Sequence, residues 1–184
     1  HGRIRRQRQM CIRDSKNIVL VVNSGRPLDL SWEDENIPTI VQAWQLGSRS
    51  GEAIAKVLYG DYNPSGKLTM SFPRNVGQVP IYYNFKNTGR PSTSIEQVTN
   101  SGYADVENSA LYPFGHGLSY TKFSYTDVLL DKTELTLKSK ITLSFKIKNI
   151  GTVKGTEIAQ MYIRDVVGSI ARPMRELKGL SLIH

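Results

Sequence analysis

Cysteine, histidine and long apolar runs are all scarce in this 184-residue chain, and each shortage excludes a class of protein. The single cysteine, Cys11, leaves no internal disulfide and so no disulfide-stapled scaffold. The three histidines, His1, His116 and His184, stand far apart and offer no metal-ligand spacing. No apolar stretch approaches the roughly 20 residues that a membrane-crossing helix needs. Acidic residues are outnumbered, 16 against 24 Lys and Arg, which gives a net charge of +8. Half of that excess lies in residues 1–15, where five arginines face one aspartate. The remainder shows no basic stripe and no RNA-binding aromatic motif, so neither a nucleic-acid nor a membrane partner is expected. With 39% hydrophobic and 22% charged residues, the composition is that of an ordinary globular protein.

The arginine-rich arm, HGRIRRQRQMCIRDS, is a possible phosphate-binding tail by charge alone. It lacks apolar periodicity, however, and resembles non-native adapter sequence. The closing Ser181-Leu182-Ile183-His184 looks similar, and both ends are set aside from the fold. From Lys16 the character changes. Ile18-Val19-Leu20-Val21-Val22 reads as a strand buried on both faces of a parallel sheet. The turn formers Asn23-Ser24-Gly25-Arg26-Pro27 end it. Residues 32–36 are polar enough for a helical turn or two, and residues 37–44 read as a second strand. A helix follows, with Ser50 as its cap, Glu52 in its first turn, Ala53, Ile54, Val57 and Leu58 on one face, and Gly60 at its end. Residues 67–72 read as a third strand. Strand and helix in alternation predict an α/β layer.

Between Arg74 and Tyr112 no period persists, and glycine, proline and short polar residues surround Tyr82, Tyr83, Phe85 and Tyr103. Structureless loops of this length are commonly functional. After Pro113 the period becomes two. Ile141, Leu143, Phe145 and Ile147 alternate with polar residues, and so do Ala159, Met161 and Ile163. Two such strands joined by the turn at residues 149–155 predict an antiparallel sandwich that begins near Phe123. Only about sixty residues remain for it, fewer than the ≈ 100 of a complete immunoglobulin-like sandwich.

These segments carry a resemblance. Asn23-Ser24-Gly25-Arg26-Pro27-Leu28, Gly60-Asp61-Tyr62-Asn63-Pro64-Ser65-Gly66-Lys67-Leu68 and Leu111-Tyr112-Pro113-Phe114-Gly115-His116-Gly117-Leu118-Ser119-Tyr120 resemble successive blocks of glycoside hydrolase family 3. Between them, Ala43-Trp44, Ser71-Phe72-Pro73-Arg74 and Asn87-Thr88-Gly89-Arg90-Pro91 fit the same family in order. Asn149-Ile150-Gly151, Gln160-Met161-Tyr162 and Glu176-Leu177-Lys178-Gly179 resemble its appended fibronectin-III-like domain. The resemblance implies a partial parallel-sheet α/β sandwich domain at residues 16–83 and a loop and linker at 84–120. A truncated antiparallel β-sandwich would then occupy 121–184, behind the foreign arm at 1–15. His116 stands where the family frequently has tyrosine, and Ser50 replaces the first glycine of a pair.

The family retains anomeric configuration with two carboxylates, a nucleophile and a general acid/base. Its aspartate nucleophile lies in an SDW-type motif on an N-terminal barrel, and its acid/base precedes the strand corresponding to residues 18–22. This sequence has neither stretch, so no catalytic residue, metal or cofactor is expected within it. The implied reading is part of a periplasmic or secreted bacterial β-glucosidase-like enzyme that acts on a β-linked oligosaccharide or glucoside and needs its barrel. The alternative is a stand-alone carbohydrate-binding or adhesion module. Trp44, after the carboxyl end of a parallel strand, and Tyr103, in the long loop, are the candidate substrate-binding residues, with packing as the competing role for each. Asp29, Glu33, Asp34 and Glu35 read as turn or helix-start groups, and the loop carboxylates Asp105 and Glu107 read either as turn or capping groups or as side chains that approach a sugar.

Overall fold

The computed structural model describes residues 17–90, 101–134, 136 and 139–184. The arm at residues 1–15 and part of the long loop, residues 91–100, lie outside the described residues. The β-branched run supplies β1 (Val19–Val22), which pairs in parallel with β2 (Thr39–Gln42) in a register running from Val19 opposite Thr39 to Val22 opposite Gln42. Parallel neighbours need a crossover, and α1 (Ser31–Asn36) lies in it. Expected over residues 37–44, β2 is shorter. Pro38 has no N–H to give a ladder, and Trp44 turns the chain away with a φ of +53°.

The next helix, α2 (Ser50–Leu58), begins one residue earlier than Ser50 as a cap would require. Arg49 occupies the cap position, and no side chain caps the end. Glu52 is held instead by Arg49 at 2.5 Å and Lys56 at 2.7 Å. Gly60 closes the helix with a φ of +83° and an N–H donated to the Val57 carbonyl at 3.2 Å, a conformation that a Cβ disfavours. The apolar face of α2 is at best half-buried, and Leu58 is 41% exposed.

Residues 67–72 form no strand. They run beside the later segment 111–116 and bond to it at both ends. The Leu68 N–H donates to the His116 carbonyl at 2.7 Å and the Gly115 N–H to the Leu68 carbonyl at 2.7 Å. At the other end the Phe72 N–H reaches the Tyr112 carbonyl at 2.8 Å, and the Leu111 N–H the Phe72 carbonyl at 2.9 Å. Pro73 and Pro113 cannot continue a ladder, and the Ser71 hydroxyl takes the Phe114 N–H in the gap. Phe72, 1% exposed, is thereby seated in the core with Val22 and Leu30, and Trp44 and Tyr112 pack around them.

The second half consists of two antiparallel pairs. β3 (Phe123–Leu130) pairs with β4 (Leu143–Asn149), and β5 (Glu157–Ile163) with β6 (Glu176–Ile183). The turn between β4 and β5 is therefore not a hairpin, as their shared period suggested. Asn149 redirects it: its Nδ2 donates to the Val153 carbonyl at 2.8 Å, while its Oδ1 accepts from the Gly151 N–H at 3.0 Å and the Thr121 hydroxyl at 2.7 Å. The tail set aside as foreign belongs to this layer. Ser181, Leu182 and Ile183 sit opposite Ala159, Ile158 and Glu157 in β6.

Asn63 joins the two halves. Its Oδ1 accepts from the Ser119 hydroxyl at 2.9 Å and the Tyr120 N–H at 2.8 Å, and its Nδ2 donates to the Lys154 carbonyl at 3.1 Å. The turn at residues 60–66 and the segment at 111–120, two of the recognisable sequence blocks, thus meet at one amide. Gly117 permits the approach, since a Cβ there would lie 2.3 Å from the Gly66 carbonyl oxygen.

Candidate functional site

In open α/β sheets, ligand crevices form beyond the carboxyl ends of the parallel strands. Here that end carries Ser24, Gln42 and Trp44. The Gln42 amide donates to the Ser24 hydroxyl at 3.1 Å, and the hydroxyl donates to the Arg26 carbonyl at 2.8 Å. The Gln42 Oε1 is a buried acceptor with no partner among the described residues, whereas buried acceptors normally meet a donor. Trp44 leaves the strand here, but its ring lies half-buried 5.8 Å from that of Phe72, at a tilt of 57°. Tyr103 lies elsewhere, on the loop, 40% exposed, with its N–H donated to the Asn108 side chain at 2.9 Å. Among the described residues no ring contact joins the two.

Three of the singled-out acidic residues do local structural work. Asp29 accepts the Ser31 N–H at 3.1 Å at the start of α1, and Asp34 accepts the Tyr112 hydroxyl. Glu107 receives Arg74 at 3.2 Å and the Ser109 hydroxyl at 3.1 Å. Its carbonyl takes the amide of Gln78 at 2.6 Å, and the Gln78 Oε1 in turn accepts the Arg74 N–H at 2.6 Å. Gln78 is only 1% exposed, so this bracket fixes the far end of the long loop onto the α/β half. A retaining glycosidase requires two free carboxyl groups about 5–5.5 Å apart across a substrate. These side chains meet cations, hydroxyls and backbone amides instead.

Two clusters bring together side chains that the sequence alone did not connect. Tyr112 and His116 stack at 5.4 Å, with Asp34 beyond the tyrosine hydroxyl. Burial, reinforced by Asp34, raises the Tyr112 phenol far above its ordinary value. Burial also depresses His116, Lys67 adds to the effect, and Asp34 opposes it. In the second cluster Glu157 accepts the Tyr125 hydroxyl at 2.9 Å and faces Lys67 at 3.6 Å, and Lys67 donates to the Gly117 carbonyl at 2.9 Å. Burial and Glu157 push Tyr125 up to about 12. Lys67 and Glu157 lie ninety positions apart, which is why no periodicity announced them. Among the described residues no group of three or more His, Cys, Asp or Glu is placed to hold a metal ion, and no helix is long and apolar enough to cross a membrane.

Comparison with known proteins places this architecture. Residues 8–120 match the model of the glycosyl hydrolase family 3 C-terminal domain, and the match opens inside the arginine-rich arm. The chain is 47% identical over 169 residues to the periplasmic β-glucosidase of Salmonella typhimurium, covering 91% of this chain and 22% of that protein. It is 42% identical over 172 residues to a β-xylosidase of Formosa agariphila, again spanning 22% of its length. The crystal structure of a Listeria innocua β-glucosidase in complex with glucose superimposes with a TM-score of 0.90 at 38% identity, over 97% of this chain and 25% of that one. The chain therefore spans about a quarter or less of these relatives. Its motifs, its fold and a family match over most of its length agree: the chain belongs to glycosyl hydrolase family 3, through the family's C-terminal domain.

Proposed function

We propose that this chain is a C-terminal portion of a β-glucosidase-like glycoside hydrolase and supplies none of its catalytic carboxylates. The observation that carries the reading is one of proportion: 91% of this chain aligns with a β-glucosidase, yet only 22% of that enzyme is covered. Residues 16–83 would belong to its α/β domain, 84–120 to a connecting loop and linker, and 121–184 to a fibronectin-III-like sandwich. Surface chemistry supports an unfinished assembly. Val128, Leu129, Leu130, Leu180 and Leu182 on the β layer are each more than half exposed, a density of apolar surface that normally awaits a partner.

In the parent, a barrel domain would contribute the aspartate that attacks the anomeric carbon, and a glutamate outside this sequence would protonate the leaving group. This chain would form one wall of the cleft. Tyr103 would rim the leaving-group subsite, and Trp44 would shape the wall from within. Periplasmic or secreted placement would follow, as in the Salmonella relative.

A hybrid tests this. Joined to the upstream part of the Salmonella enzyme in place of that enzyme's own C-terminal segment, the chain should support hydrolysis of nitrophenyl β-glucoside. A folded hybrid without turnover would overturn the assignment.

A further inference from the structure

At the carboxyl ends of β1 and β2 one buried polar atom is left over. The Gln42 Nε2 donates to the Ser24 hydroxyl at 3.1 Å, and the one proton of that hydroxyl goes to the Arg26 carbonyl at 2.8 Å. These two bonds fix which way the amide faces. Turned over, its oxygen would meet a hydroxyl oxygen whose proton is already committed. The Gln42 Oε1 therefore lies on the far side of the amide from Ser24, buried and without a donor among the described residues. The neighbouring groups of the chain do not supply one. The Ala43 N–H is taken by the Val22 carbonyl at 2.9 Å. The Gln45 amide packs against the turn instead, its Nε2 2.8 Å from where a Cβ on Gly25 would stand, and it makes no hydrogen bond among the described residues. An unpaired buried acceptor costs stability, and native structures keep few of them.

We propose that the Gln42 Oε1 is a docking point for the rest of the parent enzyme, where it accepts a hydrogen bond from a donor outside this sequence. The inference rests on the parent reading given above; the need for a donor rests on the chain's own bonds. The surroundings are those of an interface. Trp44 holds a φ of +53°, a conformation that a bulky side chain disfavours and that persists only where the structure enforces it. Its ring is the anchor, packed on Phe72 at 5.8 Å. The turn so made brings Gln45 and Leu46 to the surface, with Leu46 41% exposed. Gln42 and Gln45 both meet the turn at residues 24–25, so an exposed leucine and an unused amide stand beside the buried acceptor. Apolar surface mixed with unpaired amides is the composition of a protein contact. The supply of donors is ample, because the chain covers only 22% of its Salmonella relative.

Two substitutions test it, each made both in the 184-residue chain and in the hybrid with the Salmonella upstream part. Gln42→Met keeps the shape of the side chain and removes the acceptor. In the chain alone it should shift the urea midpoint little, because the orphaned oxygen goes with the amide. In the hybrid it should raise the rate of heat inactivation about tenfold, since a bond is lost and its donor is stranded. Gln42→Glu keeps an acceptor oxygen. It should lower the midpoint of the chain alone, where a carboxylate is buried without a partner, and the hybrid should tolerate it better than Gln42→Met. An active hybrid that Gln42→Met harms no more than it harms the chain, as when water alone meets the oxygen, would overturn the contact and leave the parent assignment standing. Destabilisation of the chain alone by Gln42→Met, growing with protein concentration, would assign the donor to a second copy and also overturn it. An unsubstituted hybrid that folds without turnover would sink the enzyme assignment, and this contact with it.

Discussion

Replacing Phe72 by alanine tests the packing centre of the α/β half. The ring is 1% exposed and lies between Trp44 at 5.8 Å and Tyr112 at 6.3 Å, with Val22 and Leu30 buried beside it. Truncating a buried phenylalanine costs about 3–5 kcal/mol, the lost transfer energy plus the cavity left behind. The upper part of that range applies here. Two aromatic contacts disappear together, each worth about 0.5–1.5 kcal/mol beyond area, and the backbone bonds of Phe72 to Tyr112 and Leu111 prevent the walls from collapsing inward. With a urea slope of about 2 kcal/mol/M, a loss of about 4 kcal/mol moves the midpoint by about 2 M. Against a total stability of about 5–15 kcal/mol, about 1–11 kcal/mol remains, so the variant stays mostly folded at 25 °C and its midpoint can be read. The near-ultraviolet circular dichroism should weaken in the same variant, because Trp44 loses the ring it packs against. Phe85→Ala is the control, since that ring is 52% exposed and should move the midpoint by less than a quarter as much. Indistinguishable midpoints for the two variants would refute Phe72 as the organising side chain.

Other consequences are more local. Asn63→Ala should destabilise the chain by about 2 kcal/mol, because it removes two bonds to residues 119–120 and one to Lys154 of the β half, whereas Asn63→Asp should retain the two accepted at Oδ1 and cost about half as much in urea titrations. His116 is depressed in the folded state, so its contribution is fully present above its unfolded pKa of about 6.5 and is lost as pH falls through the folded value. Thermal melts should therefore weaken on acidification below about pH 6.5, and His116→Tyr should flatten that slope. Tyr103→Ala in the active hybrid should raise KM for aryl substrates about fivefold with kcat nearly unchanged, since a contact equal in ground and transition states shows in KM. The isolated chain should bind an apolar dye strongly, and a monomer that binds none would argue for the self-sufficient module instead.

The short-range features of this fold were legible in the sequence. The β-branched run at 18–22 and the alternation at 159–163 became β1 and β5, but the burial expected on both faces of β1 is not found: only Val22 is buried and Val19 is 43% exposed, because the sheet has just two strands among the described residues. Gly60 ended its helix as a residue free to take a positive φ should. What escaped were choices made by distant partners. Residues 67–72 have a strand-like pattern, but prolines on both sides let them pair with 111–116 only at the ends. The pairing of β4 with β3 rather than β5 depends on Asn149 and Thr121, and no hydrophobic period encodes that. Ser181–Leu182–Ile183 looked foreign by composition, yet a short alternating segment suffices to pair with β5. The motif blocks were recognisable individually. That Asn63 ties them together needed the coordinates.

Turnover of nitrophenyl β-glucoside by the isolated chain, measured beside the hybrid, bears most directly on the claim that the catalytic carboxylates come from elsewhere. The account predicts no hydrolysis above the uncatalysed rate, since it assigns both the acid and the nucleophile to parts of the parent enzyme outside this sequence. Measurable turnover by the chain alone, abolished by Asp105→Asn or Glu107→Gln, would contradict it and move the chemistry into the long loop.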